Sequence, residues 1–262
     1  MGTQHQQQQR GFTVIETLLF LSVSAILAVA LLGGWTAMIN TQRYKDSSRS
    51  LQSYLQQQYN LVYNVENGRG NDLSCTEQPA SVSIVDSNPL SSTERGQSSC
   101  VLMGRYIEIK NGMILNVSTI VGFDQEANKS DASYTPPASD IASIKEYKPT
   151  RSEIMLGESS SEFEIPWQAF VVGTGDSIPK NYAIAIIRAP QTGIVHTFAK
   201  LVTGDLPAPI ELADTENEEN DLNLCLDPGV ALAGGRQGVV ISKYASSQSA
   251  VKTIPETSNV CG

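Results

Sequence analysis

Histidine is almost missing from this chain. Of 262 residues only His5 and His196 are histidines. His5 stands in a polar N-terminal stretch, and His196 falls in a β-rich run, Val195-His196-Thr197, where a lone histidine reads as a structural or surface residue. The sequence also has no G-x-S-x-G, no H-E-x-x-H, no phosphate-binding glycine loop and no dinucleotide fingerprint. Nothing pairs a nucleophile with a base, so no catalytic residue, cofactor or metal site is expected and the chain does not read as an enzyme. A basic excess is lacking too. The net charge is -9, which argues against a nucleic-acid partner, because phosphate binding needs a basic face. Charged residues are only 17% of the chain against 40% hydrophobic, a globular rather than a disordered balance. No clear internal repeat is found.

Cysteine is sparse but even in number: Cys75, Cys100, Cys225 and Cys261. No C-x-x-C spacing occurs, which disfavours zinc and thioredoxin-like chemistry. Four cysteines allow three pairings. Cys75–Cys100 and Cys225–Cys261 are favoured because each closes a short local loop, and an even count behind a membrane segment suits an oxidising compartment. The alternative is four unpaired thiols in a reduced protein.

Charge is scarcest between Phe12 and Ile39, where 28 residues carry one formal charge, Glu16. As a helix this stretch would be roughly 40 Å long, enough to cross a hydrocarbon core of about 30 Å. Thr17, Ser22, Ser24 and Thr36 are tolerable there because hydroxyls bond back to the helix. Gly33-Gly34 marks a point where the helix can bend or unwind, since each glycine costs about 1 kcal/mol in a helix interior. Before it, residues 1–11 are short and polar, with one fixed positive side chain, Arg10. They read as a targeting leader whose charge favours a cytoplasmic N-terminus.

Beyond the apolar run Tyr44, Leu51, Leu55, Tyr59 and Val62 recur at helical spacing, opposite a face of Gln, Ser, Arg, Lys and Asp. This predicts an amphipathic helix over 41–67, capped at Asn67-Gly68, on a β-rich head formed by 68–262. Strands are expected at 81–85, 101–109, 113–121, 167–172, 182–188 and 194–201. Asn111-Gly112 should turn a hairpin between the second and third of these. Residues 122–164 read mostly as loop. A last hairpin is expected from 230–233 and 238–244, with the tail stapled by Cys261. The run Asp214 to Asp221 lacks EF-hand spacing and its glycine, so a solvated acidic loop is preferred to a calcium site. Asn116 and Asn128 fit the N-glycosylation pattern, which is short and common. The fold class is therefore α+β: a long N-terminal helix, half membrane-fit and half amphipathic, on an antiparallel head.

Glu16 is expensive in lipid and asks for a partner. One reading makes residues 1–30 a signal peptide cut after Ala28-Val29-Ala30. That leaves the carboxylate, about 3 kcal/mol unfavourable on insertion scales, without a purpose. The chain would then be a secreted or membrane-anchored binding domain such as an adhesin, or, more remotely, an exported hydrolase. The other reading cuts between Gly11 and Phe12. A new ammonium on Phe12 then pairs with Glu16 between neighbouring helices, and a paired buried charge can specify register.

Arg10-Gly11-Phe12-Thr13-Val14-Ile15-Glu16-Thr17-Leu18 resembles the class III leader of type IV prepilins and pseudopilins: a short leader ending in Gly, an aromatic first residue, and Glu at the fifth mature position. The likeness covers residues 1 to about 40. It implies cleavage after Gly11 by a prepilin peptidase, N-methylation of Phe12, and an assembly role for Glu16 against the N-terminus of a neighbouring subunit. It also implies insertion in the cytoplasmic membrane, then polymerisation with other pilin subunits by the pilus assembly machinery into a surface filament. Many members break the helix with Gly or Pro near the end of its first apolar turns; here that region has Gly33-Gly34 and no proline. The family's C-terminal disulfide loop would correspond to Cys225 and Cys261. Such filaments serve adhesion, motility, DNA uptake or protein secretion, and the large head leaves minor pilin, tip subunit and pseudopilin open.

Overall fold

A computed structural model describes residues 13–64, 73–77, 82–86, 100–123, 133–152, 162–229 and 236–261. The chain divides into two units, Met1–Arg43 and Tyr44–Gly262. Helix α1, Val14–Tyr63, contributes residues to both.

Within the second unit α1 buries Tyr44, Leu51, Leu55, Tyr59 and Val62, the face set by their spacing. That face also buries Ser47, Ser48 and Gln58, which the polar/apolar reading had assigned to solvent. Polar groups are tolerated there where strand and loop carbonyls meet them. Ser47 Oγ donates to Pro166 O at 2.8 Å and Ser48 Oγ to Gly238 O at 3.1 Å. Gln52 and Gln56 both donate to Val251 O, at 3.1 and 3.0 Å. The described helix ends at Tyr63, where Asn64 N bonds Asn60 O. The expected Asn67-Gly68 cap lies outside the described residues.

The strands are β1 (Leu73–Glu77), β2 (Val82–Asp86), β3 (Cys100–Lys110), β4 (Ile114–Phe123), β5 (Thr150–Ser152), β6 (Glu162–Glu164), β7 (Phe170–Val172), β8 (Asn181–Arg188), β9 (Val195–Val202), β10 (Leu222–Asp227), β11 (Gly238–Ile241) and β12 (Val251–Ile254). All pairings among them are antiparallel. β1 and β2 form a small hairpin. A six-stranded sheet has the order β5-β4-β3-β8-β9, with β6 also on β4, and a four-stranded sheet has the order β12-β11-β10-β7. The β3–β4 hairpin turns at Asn111 and Gly112, with φ of 50° and 66°. Both values are left-handed, as an Asn-Gly turn requires.

The core has two layers. On one face of the larger sheet Ile107, Leu115, Ile184 and Ile186 meet α1, which also covers Leu224, Leu226, Val239 and Val251 of the smaller sheet. On the opposite face Tyr106, Ala185, Ile187 and Phe198 meet two short helices, α2 (Asp140–Glu146) and α3 (Pro209–Leu212), through Ile144, Tyr147, Leu212 and Ala213. Strand β8 alternates between the layers, Tyr182, Ile184 and Ile186 one way, Ala183, Ala185 and Ile187 the other.

Several sequence expectations are corrected. Within residues 122–164, read mostly as loop, the described part holds the end of β4, α2, β5 and β6, while residues 124–132 and 153–161 lie outside it. Ser139 caps α2, its Oγ accepting from Ala142 N at 3.2 Å. The strand expected from Trp167 begins at Phe170, after a 3-10 turn at Pro166–Gln168 in which Trp167 is left-handed, φ 64°. Strand β11 pairs with β10 and β12, not yet anticipated as strands, so the tail enters the sheet instead of being held only by Cys261. The expected hairpin arm at 230–233 lies outside the described residues.

Candidate functional site

The candidate site is the start of α1. Thr13 opens it: Glu16 N reaches Thr13 O at 3.0 Å and Thr13 Oγ1 at 3.3 Å, the geometry of a side-chain N-cap. This puts the Glu16 carboxylate in the first helical turn, where the helix dipole favours negative charge. Thr17 Oγ1 returns its proton to Val14 O, and Ser22 Oγ to Leu19 O, both at 2.9 Å, so these hydroxyls cost the segment little in apolar surroundings. Val14, Ile15, Leu18, Phe20, Ile26 and Leu31 are all exposed. Among the described residues one helix, Val14–Tyr63, is long and apolar enough to cross a membrane. Gly33 and Gly34 both lie inside α1. A Cβ at either would meet nothing within 4 Å, so no close contact demands glycine there. Gly11 and Phe12 lie outside the described residues.

No protein-family model, curated protein or solved structure matches the chain.

The four cysteines pair as the local reading favoured. Cys75–Cys100 and Cys225–Cys261 have Cα separations of 5.0 and 5.4 Å, and none is free. The first ties β1 to the start of β3. The second ties β10 to the C-terminus in a buried pocket with Val172 and Ile254. Closing loops of 25 and 36 residues removes chain entropy worth about 3–4 kcal/mol each.

His196 is not a surface residue. Its Nδ1 lies 2.8 Å from Glu218 Oε1 and its Nε2 lies 3.0 Å from Asp140 Oδ2. The Glu218 hydrogen bond raises its pKa above the ordinary value, burial opposes, and Asp140 adds to the rise. The sequence carried no signal for this cluster, whose members are 56 and 22 residues from His196. In the acidic run, Asp214 Oδ1 accepts from Thr215 N and Asp221 Oδ1 accepts from Lys243 N, at 2.8 and 2.7 Å. With Glu218 on His196, three of its carboxylates are engaged by the chain's own donors. Among the described residues no group of three His, Cys, Asp or Glu side chains converges to hold a metal ion.

Proposed function

We propose that the chain is a filament subunit of the type IV pilin or pseudopilin class. In this reading it is inserted in the cytoplasmic membrane as a prepilin, cleaved after Gly11, methylated on Phe12 and polymerised through its N-terminal helix. Its partners are other pilin subunits, the prepilin peptidase and the assembly machinery, and it performs no chemistry of its own. The pilin-like fold, the cell-surface filament and the roles of Gly11, Phe12 and Glu16 belong to the same proposal.

One observation carries it: a single carboxylate, Glu16, stands in the first turn of a helix whose following turns are exposed and apolar. Such a charge is stable in lipid or between helices only with a partner, and an ammonium on Phe12 supplies one in a staggered neighbour. The alternative of a signal peptide cut after Ala30 would divide α1 within its apolar half. The antiparallel head on the C-terminal half of α1 also favours the subunit reading.

Replacement Glu16→Ala tests it. The variant should enter the membrane as well as the wild type or better, gaining roughly 3 kcal/mol on insertion scales, yet fail to form filaments. Membrane fractionation reads the first effect and electron microscopy of sheared filaments the second. Normal filaments from the Ala variant would end the charge-pair account.

A further inference from the structure

The imidazole of His196 is engaged on both sides by acids. A neutral imidazole has one N–H and one lone pair, so between two carboxylates its lone pair would face an oxygen with nothing to donate. The doubly protonated ring donates at both edges, to Glu218 at 2.8 Å and to Asp140 at 3.0 Å. The three side chains are only 16%, 8% and 20% exposed, so solvent screening is limited. The acids occupy opposite edges of the ring and do not converge on one cation.

Among the described residues the charged neighbours are few. Thr192 Oγ1 donates to the same Asp140 oxygen at 3.0 Å. From α2, Lys145 approaches Asp214 at 4.0 Å, but both side chains are well exposed and the pair contributes little. From β8, Arg188 directs Nε to Gly193 O at 3.3 Å. On β9 itself Phe198 lies parallel to the imidazole, 6.2 Å between centroids.

The triad joins three separate pieces. Asp140 opens α2, His196 lies in the edge strand β9, and Glu218 closes the 3-10 turn Thr215–Asn217. Together α2, α3 and the segment after α3 cover the second apolar face of the larger sheet. Helices of seven and four residues are too short to persist alone, so this cover is held by its contacts. We propose that Asp140, His196 and Glu218 form a pH-operated latch that fastens α2 and the 214–221 segment over the sheet and releases them as pH rises. The proposal does not depend on the filament reading.

The direction follows from the charge state. With the folded pKa of His196 held above 6.5, the latch is fully effective below 6.5 and is lost as pH rises through the folded value. Hydrogen bonds to charged groups are worth roughly tenfold or more in an equilibrium, and that is the size of the change expected.

Hydrogen exchange on the full-length chain in detergent tests the latch, with rates corrected for their intrinsic pH dependence and His196 followed by its imidazole NMR signals. Protection across 140–147 and 214–221 should fall about tenfold or more as His196 deprotonates, while β3 and β4 keep theirs. His196→Gln should make the cover's protection independent of pH. Glu218→Gln keeps the shape but removes one charge, so it should lower the His196 transition and shrink the change; it decides the matter if the His196 variant does not fold. Wild-type protection that is flat across the His196 transition, or a Glu218→Gln variant with the wild-type pH dependence, would overturn the proposal.

Discussion

The Tyr44 hydroxyl bridges the backbones of Leu226 and Gln237 just beyond the last β10–β11 pair, where Leu226 N also donates to Gln237 O at 2.8 Å. It donates to Leu226 O at 2.6 Å and accepts from Gln237 N at 2.7 Å, with the side chain 2% exposed. Burial pushes its pKa up to about 12, so the phenol stays neutral and able to donate throughout the ordinary pH range. Tyr44→Phe keeps the ring but leaves a buried N–H and a buried carbonyl short of a partner. Its expected cost is about 1–3 kcal/mol in chemical denaturation. A variant as stable as the wild type would mean that water replaces the hydroxyl. Periodicity identified Tyr44 as a core residue because the ring is apolar. It did not reveal the hydroxyl's task, because Leu226 and Gln237 are distant in sequence and offer only backbone atoms. Ser47 and Ser48 escaped for the same reason: a serine answering a distant carbonyl looks like a solvent-facing serine until the carbonyl is placed.

At the scale of elements, legibility followed how much structure was local. The β3–β4 hairpin was readable because Asn111-Gly112 carries its own conformational preference. Helix α2 was not. Seven residues are too few to display a helical period, and its place depends on the Ser139 cap and on Ile144 and Tyr147 reaching the sheet. Strand β12 was missed because its burial runs buried, exposed, exposed, buried, which breaks the expected alternation. One glycine inside a strand can be tested directly. Gly104 lies where the β3–β4 register shifts, and a Cβ there would sit 2.0 Å from the Ile186 carbonyl oxygen of the paired strand β8. Backbone cannot step aside as a flexible side chain does, so Gly104→Ala should destabilise by about 3 kcal/mol. Gly204→Ala, where a Cβ meets nothing within 4 Å, is the matched control and should stay within about 1 kcal/mol of wild type in the same denaturation experiment. Equal stability of the two variants would show that β3 and β8 separate readily at this point.

Across the whole molecule, two kinds of surface need two environments. The described part of the first unit leaves large apolar side chains from Val14 to Met38 exposed, whereas the second encloses two apolar layers and two disulfides. The whole chain's net charge of -9 favours solubility without naming a partner. The reading proposed for the N-terminal segment rests on a local pattern: Gly11, the aromatic Phe12, and a carboxylate four residues on in an otherwise uncharged run. The Asp140–His196–Glu218 cluster had no such local signature and needed the fold to assemble it. The central claim, that α1 is an assembly element freed by cleavage and not a discarded signal, rests on where the mature chain begins. Mass spectrometry of the N-terminal peptide from protein recovered from its native cells measures this directly. The account predicts a chain beginning at Phe12 and carrying one methyl group on its amine; a chain beginning at Leu31, or one retaining residues 1–11, would contradict it.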